Sequence, residues 1–109
     1  MSFGQLMIHI AAQNSDSCGS PTGTKALAEP AATDRQAAIK FLTATFDKGA
    51  KEFDAMPPEQ LDKELYKFRN QPVLARKALW YTFTRMAHHR GQAEAYLRVK
   101  KIKPPAWRF

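Results

Sequence analysis

The sequence is poor in cysteine and has no long apolar run, and both absences limit what the protein can be. Its one cysteine, Cys18, cannot form a disulfide within the chain. This cysteine usage is typical of a reducing compartment, so we expect a cytoplasmic location. No run approaches the roughly 20 apolar residues of a membrane-spanning helix, and residues 1–12 lack the features of a signal peptide. We therefore expect no membrane partner.

Strand-like alternation, internal repeats and low-complexity tracts are also missing. Instead, three segments carry apolar residues at helical spacing. The length allows one small domain, which we place at residues 1–109. The predicted class is all-α, with helix packed on helix.

The first predicted helix begins at Ser2, which can form a capping box with Gln5. Residues 15–32, rich in Ser, Gly and Pro, are predicted to be a loop. The second helix is predicted to begin at Thr33 and to end before Pro57. Apolar or small residues at gaps of three and four predict its inward face: Ile39, Leu42, Phe46, Gly49, Phe53 and Met56.

Pro58 is predicted to open a short helix, followed by a turn at residues 68–72. Three apolar residues would share one side of that helix: Leu61, Leu65 and Phe68. The third and longest helix is predicted over residues 73–101. Inside it, Gly91 costs roughly 1 kcal/mol relative to alanine, which predicts that another helix packs closely against it.

Two of the three histidines suggest a site. Arg85 and His89 lie four residues apart and therefore point the same way from one helix, whereas His88 points about 100° away from His89. His89 shares a face with apolar residues, and His9 lies among apolar residues of the first helix. Two inward histidines from different helices are the beginning of a metal site, and imidazole suits zinc, nickel, iron or copper.

The donor set predicted from these residues is short by one ligand. A catalytic zinc site usually has three protein ligands, and Arg85 cannot be one because guanidinium stays protonated. Gln13 and Gln92 are candidates for weak oxygen ligation. The alternative is that His9 is an ordinary hydrogen-bonded core residue.

The formal net charge of +7 leaves a second kind of function open. Basic residues cluster only from Arg98 onward, near a helix end where cations are favoured. No helix-turn-helix, zinc-finger or RNP-like pattern is visible. A basic nucleic-acid-binding module is thus an alternative that rests on charge alone.

The segment HHRGQAEAYLR (residues 88–98), followed by IKPP, resembles the last helix of the DinB-like family, the DinB/YfiT superfamily. SFGQLMIHIA (residues 2–11) resembles the second helix of that family. The resemblance covers nearly the whole chain. It implies a four-helix bundle of which this chain holds the last three main helices, and it implies one divalent metal held by three histidines.

Carried onto this sequence, the resemblance makes His9 the second-helix ligand and His89 the second histidine of the last-helix pair. Arg85 stands where the first histidine of that pair is expected. The resemblance therefore implies a degenerate site for a divalent metal, zinc or nickel, and no assignable reaction. A metal-dependent thiol S-transferase or hydrolase, acting on a small-molecule or thiol substrate, is the alternative.

A bundle without its first helix would expose the apolar groove that this helix covers. We therefore expect a homodimer in which a second copy covers the groove. Marginal stability of the single chain is the alternative.

Overall fold

The computed structural model describes residues 1–106, except for the side chains of residues 17–21. The side chain of Cys18, on which the expected cytoplasmic location depends, is therefore outside the described part. The described chain is mostly helical, which confirms the all-α class. In chain order, its main elements are α1 (Phe3–Thr22), α2 (Arg35–Ala55), β1 (Tyr66–Phe68), β2 (Gln71–Val73) and α3 (Ala75–Val99). No helix in this described part is long and apolar enough to cross a membrane.

Helix α1 begins with the predicted capping box. The Ser2 backbone N–H donates to Gln5 Oε1 at 2.7 Å, and the Gln5 N–H donates to Ser2 Oγ at 3.2 Å. These two bonds satisfy backbone donors that a helix N-terminus otherwise leaves unpaired. The other end differs from the prediction, because α1 continues to Thr22 and the loop predicted at residues 15–32 begins only after it.

Tertiary hydrogen bonds explain why this polar segment stays helical. Ser15 is buried, and its hydroxyl accepts the Leu27 N–H at 2.8 Å. Asn14 is also buried, and its side-chain nitrogen donates to the Thr45 carbonyl at 3.4 Å. Partners from other parts of the chain thus override the local preference of Ser and Asn for turns.

Helix α2 begins one residue later than predicted. Asp34, not Thr33, is the N-cap, and its carboxylate accepts the N–H groups of Gln36 and Ala37 at 2.8 and 3.1 Å. A carboxylate at this end also favours the positive pole of the helix dipole. The helix ends two residues before Pro57, which confirms the predicted stop.

The buried face of α2 is rotated from the prediction. Its buried residues are Ala38, Phe41, Thr45 and Gly49. Of these, Ala38 and Phe41 form the main apolar cluster together with Ile8 and Ala11 of α1. Of the predicted inward residues, Gly49 is buried, but Ile39 and Phe46 are each 47% exposed. The apolar pattern of α2 is wider than the flank that α1 covers, so periodicity alone could not select the buried residues.

The segment between α2 and α3 also differs from the prediction. Pro58–Asp62 forms only a short 3-10 helix, and Leu65 and Phe68 lie beyond its end. Tyr66–Phe68 and Gln71–Val73 instead pair as an antiparallel hairpin. The predicted turn lies between them, where Arg69 and Asn70 both have positive φ angles of 48° and 65°. Two consecutive residues of this kind are typical of the tight hairpin turn whose twist matches the strands.

Helix α1 packs against both α2 and α3, whereas α2 and α3 do not pack closely against each other. An apolar surface, here called the open groove, therefore runs along the bundle. It contains two cavities of about 470 and 330 Å³, the first lined by α1, α2 and Thr33 and the second by all three helices. Its apolar lining comes from all three helices: Phe3, Met7, Ile10, Ile39, Leu42, Phe46, Phe83, Met86 and Ala87.

Candidate functional site

The structure brings together the two histidines that the sequence singled out. His9 projects from α1 and His89 from α3, and both are half-buried. Their ring centroids lie 5.0 Å apart, with an interplanar angle of 89°. The predicted convergence of two imidazoles from different helices is therefore present.

A glutamine amide joins the two imidazoles. Gln13 lies one turn after His9 on α1, and its Nε2 lies 2.8 Å from His9 Nε2. The same amide places its Oε1 3.3 Å from His89 Nε2. The amide nitrogen donates to His9. The amide oxygen faces His89 Nε2, and the tautomer of His89 decides whether Nε2 or Nδ1 carries the proton that this ring donates. Gln13 thus engages the Nε2 atom of both rings and links α1 to α3.

The remaining ring nitrogen of His89 is also engaged. Gln92 lies three residues later on α3, and its Oε1 is 2.7 Å from His89 Nδ1. His88 is exposed, and its ring meets that of His89 only edge-on, with the centroids 5.2 Å apart. The expectation that adjacent histidines serve different places is confirmed, with His89 towards α1 and His88 towards solvent.

Arg85 lies one turn before His89 on α3 and is half-buried. Residues four apart on a helix have Cβ atoms about 6 Å apart, so a positive charge accompanies the site. Within the part of the chain that the structure describes, no carboxylate forms an ion pair with the Arg85 guanidinium. A guanidinium stays protonated and has no lone pair to donate, so Arg85 cannot itself be a metal ligand.

A shallow cavity of about 200 Å³ opens beside the histidines. Its lining is mixed polar and apolar: Met1, Leu6, His9, His89, Gln92 and Tyr96. The Tyr96 hydroxyl donates to the Met1 carbonyl at 2.6 Å and so fixes the rim. The cavity is large enough for a small polar molecule, but its bottom is the hydrogen-bonded histidine pair.

The residues present do not fit a three-histidine metal centre. His9 and His89 supply two imidazoles, and Arg85, one turn before His89, cannot be a ligand because its guanidinium stays protonated. Among the described residues there is no group of three or more His, Cys, Asp or Glu side chains that could hold a metal ion. Gln13 and Gln92 adjoin the histidines as predicted, but as hydrogen-bond partners of the rings.

Two features were not predicted from the sequence: the Gln13 bridge between the histidines, and the contacts of the Glu52 carboxylate. Glu52 on α2 pairs with Lys48 and accepts hydrogen bonds from Thr22 and Thr24 at the end of α1. Burial alone would raise the pKa of Glu52. Hydrogen bonds from Lys48 and Thr24, the charge of Lys48 and a hydrogen bond from Thr22 together outweigh this effect, so the pKa lies below its usual value. The i,i+4 spacing of Lys48 and Glu52 was the available signal.

The fold and the histidine pair define a helical-bundle protein in which two imidazoles meet between α1 and α3. The model of the DinB family matches residues 1–106, and the chain belongs to that family. No curated protein and no solved structure matches the chain.

Proposed function

We propose that this DinB-family protein has a degenerate divalent-metal site and carries out no metal-dependent reaction. The observation that supports this most is the Gln13 amide, which engages the Nε2 atoms of His9 and His89 at 2.8 and 3.3 Å. Those atoms would have to be freed before both rings could bind one metal ion.

The electrostatics support the same proposal. Arg85 supplies a fixed positive charge where a third neutral ligand would be needed. A metal held by two imidazoles and weak amide oxygens, next to a guanidinium, is bound weakly. We propose zinc or nickel as the ion of this residual site, because imidazole is a suitable ligand for both.

In place of catalysis, we propose that the His9–Gln13–His89 bridge fastens α3 to α1. The alternative of a metal-dependent thiol S-transferase or hydrolase needs a third ligand and an open coordination position, which this donor set does not offer. Nucleic-acid binding is supported by the net charge only. The single cysteine supports a cytoplasmic location.

The proposal is tested by elemental analysis of the protein purified without an affinity tag. We expect no stoichiometric zinc or nickel in the wild type, in His89→Ala or in His88→Ala. His88→Ala is the matched control because it removes an exposed neighbouring imidazole. One equivalent of metal that survives His88→Ala but is lost in His89→Ala would overturn the proposal.

A further inference from the structure

The hairpin and α3 share a surface that is rich in aromatic rings and positive charge. Residues 65–93, which include the hairpin and most of α3, contain six Lys or Arg residues and no Asp or Glu. Nearly all of the formal net charge of +7 therefore falls in this segment. Two aromatic pairs also lie there, Trp80 with Phe83 and Tyr81 with Phe68. A partner for this surface must complement both the rings and the charge.

The first aromatic pair is open to solvent. Trp80 is 63% exposed and Phe83 is 65% exposed, and their rings stack with centroids 5.8 Å apart and an interplanar angle of 29°. The outer side of α3 stays open further along, because a Cβ placed on Gly91 would meet nothing within 4 Å. The close helix packing predicted at Gly91 thus does not occur within the described chain. Flat rings exposed in this way can stack on another flat group.

The second aromatic pair holds two cations beside the first. The Phe68 and Tyr81 rings are half-buried, with centroids 4.9 Å apart. Lys77 Nζ lies 5.7 Å from the Tyr81 centroid, and the Arg69 guanidinium carbon lies 5.5 Å from the Phe68 centroid. Cation–π contacts of this kind position a side chain without neutralising its charge. Within the described residues neither cation has a carboxylate in ion-pair contact, so both charges can meet an anion.

We propose that this surface binds a single-stranded nucleic acid, whose bases stack on Trp80 and Phe83 and whose phosphates contact Lys77 and Arg69. The surface, here called the aromatic face, consists of Phe68, Arg69, Lys77, Trp80, Tyr81 and Phe83. Every nucleotide of a single strand presents a flat base and a negative charge, which are the two properties that the aromatic face complements. A duplex keeps its bases stacked between neighbouring pairs, so the rings would reach them only after unpairing.

The order of rings and cations favours a strand over an anionic membrane, which also attracts basic and aromatic side chains. Ring contacts, cation–π contacts and the one-turn spacing of Lys77 and Trp80 join the members in one line: Phe83, Trp80, Lys77, Tyr81, Phe68 and Arg69. Lys77 thus stands between the two ring pairs. Insertion of the rings into lipid would carry this ammonium group with them, whereas a strand needs a charge beside each stacked base.

The first test measures binding of the full chain to labelled strands of about 12 thymidines or 12 uridines at low salt, by fluorescence anisotropy. The two probes separate DNA from RNA as the source of the strand, and binding of either one supports the proposal. A duplex of the same length should bind at least tenfold more weakly than the better single strand. Equal affinity for the duplex, or no binding of either single strand, would overturn the proposal.

Two pairs of variants separate the aromatic face from the rest of the chain. Trp80→Ala should weaken binding at least tenfold because a stacking ring is lost, whereas Phe46→Ala, which removes a half-exposed ring of α2, should change it less than about twofold. Circular dichroism checks that both keep their helix content. Lys77→Gln should reduce the slope of log affinity against log salt by about 0.7, the value of one phosphate contact. Lys40→Gln, which removes an exposed charge of α2, should leave that slope unchanged.

The emission of Trp80 reports its own contact. The chain has two tryptophans, so Trp107→Phe leaves Trp80 as the only one, and stacking on a base should quench its emission. Vesicles of phosphatidylglycerol and phosphatidylcholine are the comparison. A shift of the emission to shorter wavelength with these vesicles, without quenching by either strand, would identify a membrane partner and overturn the proposal. Equal effects of Trp80→Ala and Phe46→Ala would overturn it too. None of these results bears on the metal content, so the proposed function succeeds or fails separately.

Discussion

Helix α1 packs against α2 and against α3 through different kinds of contact. Against α2, α1 buries an apolar cluster that includes Ile8, Ala11 and Phe41. The buried residues of α3 are small: Ala75, Ala78 and Thr82. Helix α1 also contacts α3 through His9 and His89, which the Gln13 amide joins by hydrogen bonds. Area removed from water contributes most of the stability, so the α1–α2 interface is the stable unit of the fold.

The two helices that pack against α1 also differ in which residues they bury. Helix α3 contributes small buried residues and keeps its large aromatic residues, Trp80 and Phe83, outside. It also carries His89 and Arg85, on which the proposed function depends. The α1–α2 side thus contains the main apolar cluster, and the α3 side contains the histidine pair and the exposed aromatic residues.

The largest expected effect lies in the α1–α2 core. Phe41→Ala should lower the free energy of unfolding by about 3–5 kcal/mol, because it removes a buried ring and leaves a cavity. Phe46→Ala, the matched control on the same helix, should cost less than about 1 kcal/mol, because its ring is half exposed. Urea unfolding measures both, and equal losses would remove the distinction between the two flanks of α2.

The next effect concerns the polar contact that ties the end of α1 to α2. Glu52→Gln should cost about 1–2 kcal/mol at neutral pH, because it removes the Lys48 pair and weakens the Thr24 bond. The pKa of Glu52 is lower in the folded chain, so the wild-type advantage is full at neutral pH and is lost as pH falls below about 4.

Unfolding of wild type and Glu52→Gln between pH 7 and pH 3 measures this dependence. Asp47→Asn, an exposed carboxylate on the same helix, is the control and should change stability little at any pH. An advantage for wild type that persists unchanged to pH 3 would contradict the assignment.

A smaller effect is expected at the α1–α3 interface. Gln13→Ala should lower the free energy of unfolding by about 1 kcal/mol, because it removes bonds to both His9 and His89. Gln92→Ala removes one exposed contact within α3 and should cost less, about 0.5 kcal/mol or below. Equal costs would mean that Gln13 does not hold α3 to α1.

Helical periodicity was enough to predict the convergence of His9 and His89, and the start of α1 at its capping box. Both features depend on residues close together in the sequence or on one helix face. The same reasoning predicted the end of α2 before Pro57, because proline acts locally.

Features decided by distant partners could not be predicted in this way. Ile39 and Phe46 belong to the same apolar pattern as the buried residues of α2, and only the position of α1 decides which flank is covered. The extension of α1 past residue 15 depends on the Ser15–Leu27 hydrogen bond. Gln13 was recognised as a neighbour of His9, but its bond to His89 required the placement of α3 against α1.

The central claim is that Arg85 and the Gln13 amide keep this site from holding a metal tightly. Calorimetric titration of zinc at neutral pH into tag-free wild type and Arg85→His tests it most directly, with His88→Ala as a control for surface imidazoles. We expect Arg85→His to bind one equivalent of zinc more than about a hundredfold more tightly than wild type, because it supplies a third imidazole. Equal affinities, or tight stoichiometric binding by the wild type, would contradict the account.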